Sequence, residues 1–138
     1  MWPWRGCLRK SERRRVVFNR SLRRPDSHPV GNRIARDQIL VDPGIGFGKT
    51  LDHNLILLRD IALFHGLGCP ILLGASRKKF IGTISGAGAA DTRVAGSVSV
   101  ALHGASQGVQ VIRVHDVDET RQALALWRAI EWGYKNGA

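Results

Sequence analysis

Cysteine is nearly missing from this 138-residue chain. Cys7 and Cys69 show neither C-x-x-C spacing nor a His partner, which excludes a disulfide framework and a cysteine metal site. Cys69, just before an apolar run, reads as a small buried hydrophobe. Long apolar runs are lacking too. None approaches the ~20 residues of a membrane span, and no signal-peptide core precedes a cleavage site, so a cytoplasmic chain without a membrane partner is expected. Acids are scarce at one end only. Residues 1–36 hold 11 Lys or Arg against 2 acids, whereas residues 37–138 hold 10 against 9. The net charge of +10 therefore belongs to the first quarter, and the remainder is an almost neutral globular sequence.

That first quarter also lacks sustained periodicity. It carries three prolines, the run Arg13-Arg14-Arg15 and one short β-like stretch, Val16-Val17-Phe18. A disordered basic tail, a nucleic-acid-binding arm and a segment foreign to the domain are the three readings. A single-strand binder interleaves aromatics with cations, and Trp2 and Trp4 merely precede them, so a nucleic-acid partner is not expected.

Nucleotide signatures fail on spacing. A P-loop needs four residues between its first glycine and Gly-Lys-Thr, and only Ile45, Gly46 and Phe47 separate Gly44 from Gly48. A dinucleotide fingerprint would require glycine where Lys49 stands.

What is present is an alternation of strands and helices. The apolar run ending at Asp42 predicts a strand over 38–42, followed by Pro43-Gly44 and the alternating glycines Gly46 and Gly48. A helix is predicted over about 52–65, with Leu51, Leu55, Leu58 and Ala62 on one face. A second strand spans 70–76, and a short helical turn through Phe80 and Ile81 leads into a loop over 82–90. Asp91 or Thr92 can cap a helix reaching about Gln107, whose many small residues imply close packing. The third strand, 109–115, puts Arg113 and His115 on the same side at its C-terminal end. Asp116 and Glu119 then form a box-like cap for a helix with Ala123, Trp127, Ile130 and Tyr134 as its buried stripe. Trp127 and Trp132 read as packing residues.

Strand starts near 38, 70 and 109 with a helix in each interval imply an α/β fold with a parallel sheet and right-handed crossovers. Polar residues at every strand end favour part of a (β/α)8 TIM barrel, its last three βα units, over a doubly wound sheet. Residues 1–33 are expected to be an irregular segment and 34–138 the barrel part. Together the strand ends offer a carboxylate (Asp42), a hydroxyl with two cations (Ser76, Arg77, Lys78), and a cation with an imidazole (Arg113, His115). Cations beside a helix start suit an anionic ligand, and a buried carboxylate suits paired N–H donors. Asp42 as a turn cap, and Arg113 with His115 as satisfied interior groups, are the bland alternatives.

Three stretches carry a resemblance: Asp42-Pro43-Gly44-Ile45-Gly46-Phe47-Gly48-Lys49, Gly74-Ala75-Ser76-Arg77-Lys78-Lys79-Phe80-Ile81-Gly82 and Arg113-Val114-His115-Asp116-Val117. In order and spacing, together with Arg93 to Ser97, they resemble the C-terminal half of the dihydropteroate synthase family. The resemblance covers roughly 34–138. It implies a pterin-binding TIM barrel and a transferase of folate biosynthesis that joins p-aminobenzoate to 6-hydroxymethyl-7,8-dihydropterin pyrophosphate with Mg²⁺ assisting. By that resemblance Asp42, Lys78, Phe47 and Arg113 would bind the pterin. Ser76, Phe47 and Lys78 would hold p-aminobenzoate, and Arg113 and His115 the pyrophosphate. Lys78, Arg113 and His115 would be the catalytic set. No metal ligand is expected in this chain, because the family's remaining pterin-binding and metal-side residues have no counterpart here. Inactivity of this chain alone is the corresponding expectation, with a homodimer or a complementing barrel half as possible partners. A methyltetrahydrofolate methyltransferase type of barrel is the alternative within enzymes, and a nucleic-acid binder acting through residues 1–36 the alternative outside them.

Overall fold

The computed structural model describes residues 38–134 and the strand at 15–18. The readings of Cys7, of the tryptophans at 2 and 4 and of most of the basic segment fall outside the described residues. Four strands and four α-helices follow one another: β1 (Arg15–Phe18), β2 (Ile39–Asp42), α1 (Leu51–Arg59), β3 (Leu72–Leu73), α2 (Lys79–Ser85), α3 (Val94–Ser106), β4 (Val111–Ile112) and α4 (Val117–Trp132). Short 3₁₀ segments occupy Ile61–Leu67 and Asp91–Arg93.

Every strand pairing is parallel. β1 aligns with β2 in the register Arg15↔Ile39 to Phe18↔Asp42, and β3 with β4 as Leu72↔Val111 and Leu73↔Ile112. A parallel bridge, Val41↔Ile71, joins the two pairs in chain order, supported by Val41 N–H donating to the Pro70 carbonyl at 2.9 Å. Parallel order with helical crossovers is the architecture of a partial (β/α)8 barrel. The short β-like run of the basic segment thus supplies a fourth strand beside the three anticipated.

The core lies between this sheet and its helices. Ile45, Ile61, Ile71, Leu73 and Val109 are fully buried, and Leu58, Phe80 and Ile81 pack around them. Truncating one such side chain to alanine costs about 2–5 kcal/mol. Small residues on α3 serve as anticipated. A Cβ on Gly104 would lie 2.5 Å from Leu73 Cδ2, and one on Gly96 would collide with Ile81. Cys69 is a free, buried thiol.

Five local expectations need correction. The first helix stops at Arg59, and the tighter 3₁₀ winding beyond Asp60 brings Ile61, not Ala62, into phase with Leu58. Its buried line is therefore Asn54, Leu58 and Ile61, while Leu51 and Leu55 stay exposed. Residues 82–85 belong to α2, which ends at Gly86 in the left-handed region, φ 75°. Asp91 heads a 3₁₀ turn, and α3 begins at Val94 without a side-chain cap. Asp116 does hold the N-cap position of α4, but its carboxylate makes no cap bond because it is engaged by Arg77. On α4 only Thr120 is buried. Ile130 and Tyr134 are largely exposed, and Trp127 meets Trp132 edge to face at 5.0 Å between centroids.

Candidate active site at the strand ends

Asp42 ends β2 with its carboxylate 3 % exposed. Oδ1 accepts the Gly44 N–H at 2.8 Å, the turn-capping bond of the bland reading. Oδ2 is buried and has no hydrogen-bond partner among the described residues. The nearest cation, Arg113 Nη2, stands 4.0 Å away on a side chain that is more than half exposed. That contact is too long for a hydrogen bond. An orphaned carboxylate oxygen in an enclosed position costs about 1–3 kcal/mol, so folding alone gives no reason for it.

The loop after β2 is held from beneath. Asn54, 3 % exposed on α1, accepts the Gly46 N–H at 2.7 Å through Oδ1 and donates Nδ2 to the Thr50 carbonyl at 2.7 Å. Lys49 Nζ donates to the Gly44 carbonyl at 2.7 Å. With Gly46 at φ 77°, the backbone turns so that Phe47 projects outward. Lys78 covers that ring, its Nζ 3.8 Å from the centroid, a cation–π contact. The lysine stem crosses directly over Gly46, where a Cβ would come within 2.8 Å of Lys78 Cδ.

At the end of β3, Ser76 is buried and its hydroxyl meets β4's loop. Oγ accepts the His115 backbone N–H at 3.2 Å and lies 3.0 Å from His115 Nδ1. When that hydroxyl gives its own proton to Nδ1, the imidazole takes the Nε2–H form and Nε2 is available as a donor. Arg77 turns away from this group. Its guanidinium forks onto Asp116, Nε to Oδ2 at 3.1 Å and Nη2 to Oδ1. The hydrogen bond to Asp116 is the main reason the Arg77 pKa is raised, and the same bond lowers that of Asp116.

The structure thus gathers the expected residues into three couples, Asp42 with Arg113, Phe47 with Lys78, and Ser76 with His115, at the C-terminal ends of neighbouring parallel strands. Asn54, Lys49, Ser97, Arg93 and Asp116, which hold the loops, were not singled out from sequence as site residues. Lys49, Arg93, Ser97 and Asp116 did leave a signal, since they stand within the stretches that carry the resemblance, whereas apolar spacing left Asn54 unmarked. A further concavity lies elsewhere, between the C-terminal ends of α3 and α4, lined by His65, Gln107, Trp127, Arg128, Trp132 and Tyr134. It lacks the convergent charges of the strand ends. Among the described residues no three His, Cys, Asp or Glu converge as metal ligands, and no helix is long and apolar enough to cross a membrane.

The parallel sheet with its helical crossovers is that of a partial (β/α)8 barrel, and residues 15–115 match the family model described as "Pterin binding enzyme". The chain belongs to that family. Among its relatives, the dihydropteroate synthase of Escherichia coli (strain K12) is 46% identical over 96 residues, which is 70% of this chain and 34% of that protein. A Xanthomonas albilineans dihydropteroate synthase solved with 7,8-dihydropteroate superposes with a TM-score of 0.67 at 43% identity, covering 69% of this chain and 37% of the other. The same enzyme solved with 4-aminobenzoic acid gives 0.67 and 43%, over 69% and 35%. The chain spans about a third of the length of the curated relative it matches.

Proposed function

We propose that the chain carries one side of a dihydropteroate synthase site, binding the pterin pyrophosphate and contributing to its condensation with p-aminobenzoate in folate biosynthesis. The observation that carries this is Asp42 Oδ2, buried and without a hydrogen-bond donor among the described residues. The 2-amino and ring N–H edge of a pterin supplies two such donors in one plane. Arg113, whose guanidinium lies beside that carboxylate, would cover the ring and meet the pyrophosphate, joined there by His115 Nε2–H. Lys78 would contact the pterin's other polar edge, while its stem and Phe47 wall the p-aminobenzoate side. Ser76 belongs to that side in this reading, with its hydroxyl shared by His115.

In the reaction the bond between the pterin methylene carbon and the pyrophosphate oxygen breaks, and both electrons leave with pyrophosphate. The arylamine nitrogen captures the methylene cation and loses a proton. Arg113 and His115 act by stabilising the charge that develops on the departing group. Mg²⁺ is implied by the family, but the described residues do not fit it. Asp42 Oδ2 faces a guanidinium and no second carboxylate joins it, so no step is routed through the metal. The rest of the site would come from a complementing barrel half or from a second copy of the chain, and a biosynthetic role of this kind fits a cytoplasmic location.

Calorimetric titration with 6-hydroxymethyl-7,8-dihydropterin pyrophosphate tests the reading. Binding that Asp42→Asn abolishes is the expected result. Equal binding by parent and variant would overturn it.

A further inference from the structure

Among the described residues Arg77 is the single non-glycine with positive φ, at 56°. That backbone state favours glycine and asparagine, and an arginine occupies it only when its surroundings hold it there. Three elements do so. The Arg77 N–H donates to Ser97 Oγ at 2.8 Å, and Ser97, 2 % exposed, donates in turn to the Arg93 carbonyl at 2.8 Å. Arg93 Nη1 donates to the Arg77 carbonyl at 3.0 Å. The Arg77 side chain is tied to Asp116 at the start of α4. Both peptide groups of one residue are therefore fixed by the beginning of α3, and its guanidinium by the next helix.

The residues on either side are the ones that face the site. Ser76 points to His115, and Lys78, extended at φ −66° and ψ 152°, passes over Gly46 to the Phe47 ring. A left-handed residue between them is what sends their side chains in different directions. We propose that Arg77 is a positioning residue acting through its backbone: its left-handed turn, clamped by Ser97, Arg93 and Asp116, sets Ser76 on His115 and Lys78 on Phe47. The clamp restrains the loop while its ion pair keeps the Arg77 cation out of the ligand space. This rests on the reading of the strand ends as the site, since it explains how that site is preorganised.

The test is nuclear magnetic resonance on the whole 138-residue chain. Two signals report the couples, the upfield ring-current shift of the Lys78 ε-methylene and the tautomer-sensitive ring nitrogens of His115. Arg77→Gly accepts positive φ freely and retains the backbone bonds, so both signals stay near the parent's. Arg77→Ala has the strain without the ion pair, and the ordered loop falls roughly tenfold in population, taking both signals with it. Methyl resonances of Ile71 and Leu73 report whether the core is intact. Should Arg77→Ala fail to fold, Ser97→Ala, which removes the acceptor of the Arg77 N–H together with the donor to the Arg93 carbonyl, takes its place with the same loss expected. Unchanged signals in the alanine variant, or equal loss in the glycine variant, overturn the proposal. Failure of the parent chain to bind the pterin pyrophosphate would sink the functional reading while leaving the loop response to decide this one.

Discussion

Arg113 reaches Asp42 by lying across Gly74. The guanidinium leaves the end of β4, passes over the strand between them, and brings Nη2 to 4.0 Å from Asp42 Oδ2. A Cβ on Gly74 would stand 2.6 Å from that same Nη2. Gly74→Ala is therefore expected to push Arg113 off its path while the core stays intact. Affinity for the pterin pyrophosphate should fall roughly 10-fold to 100-fold, the worth of a charged hydrogen bond. Calorimetry alongside a thermal melt checks both halves, and unchanged affinity would mean that the guanidinium does not need this route.

Asn54 joins α1 to the loop that carries Phe47. Asn54→Ala removes the acceptor of the half-buried Gly46 N–H and one of the two donors to the Thr50 carbonyl, which keeps the backbone N–H of residue 54, at a cost of about 0.5–1.5 kcal/mol. Urea unfolding should show that loss, and Asn54→Asp should recover only part of it, because a carboxylate accepts from Gly46 but cannot donate to Thr50. Equal stability of the alanine variant would show that the glycine loop holds itself.

The ion pair of Arg77 with Asp116 makes stability sensitive to acid. Arg77 holds the Asp116 carboxyl below its ordinary value of 3.8 in the folded chain, while the unfolded chain carries it at the ordinary value. The contribution is therefore complete above that value and is lost as pH falls through the lowered one. Melting temperatures recorded below about pH 4 should drop more steeply for the parent than for Asp116→Asn. Parallel curves would remove the pair from the account of the clamp.

Catalysis is expected to need more than this chain supplies. No dihydropteroate should form when it is incubated alone with both substrates and Mg²⁺. Turnover should appear on adding a polypeptide with the remaining strands of a homologous barrel. Product from the isolated chain, followed chromatographically, would contradict that expectation directly.

Much of this was readable in the residues. Apolar runs closing in Asp42, Ser76 and His115 located three parallel strands, because unbroken Val, Ile and Leu runs mark strands buried on both faces. Period-two alternation was read over 109–115, whereas β4 spans only Val111–Ile112, so Arg113 and His115 lie in the loop that follows it. Helix faces were less legible. The stripe proposed for α1 failed because Asn54 is turned inward by two backbone partners and because the 3₁₀ winding after Asp60 changes the phase, neither of which apolar spacing encodes. Ile130 and Tyr134 kept helical spacing but no cover, since periodicity states which face is apolar and not what lies against it. Asp116 had a cap's position and an ion pair's employment, a choice made by Arg77, 39 residues earlier in the chain.

The two long cations of the site each cross a position that has no side chain, Lys78 over Gly46 and Arg113 over Gly74. Those glycines are empty lanes. Any residue that fills one moves a cation, so on the proposed reading tolerance towards a competitor for the site would not evolve there without disturbing what the cation is proposed to hold. The room for such change lies in the walls of the site, and the floor is closed to it.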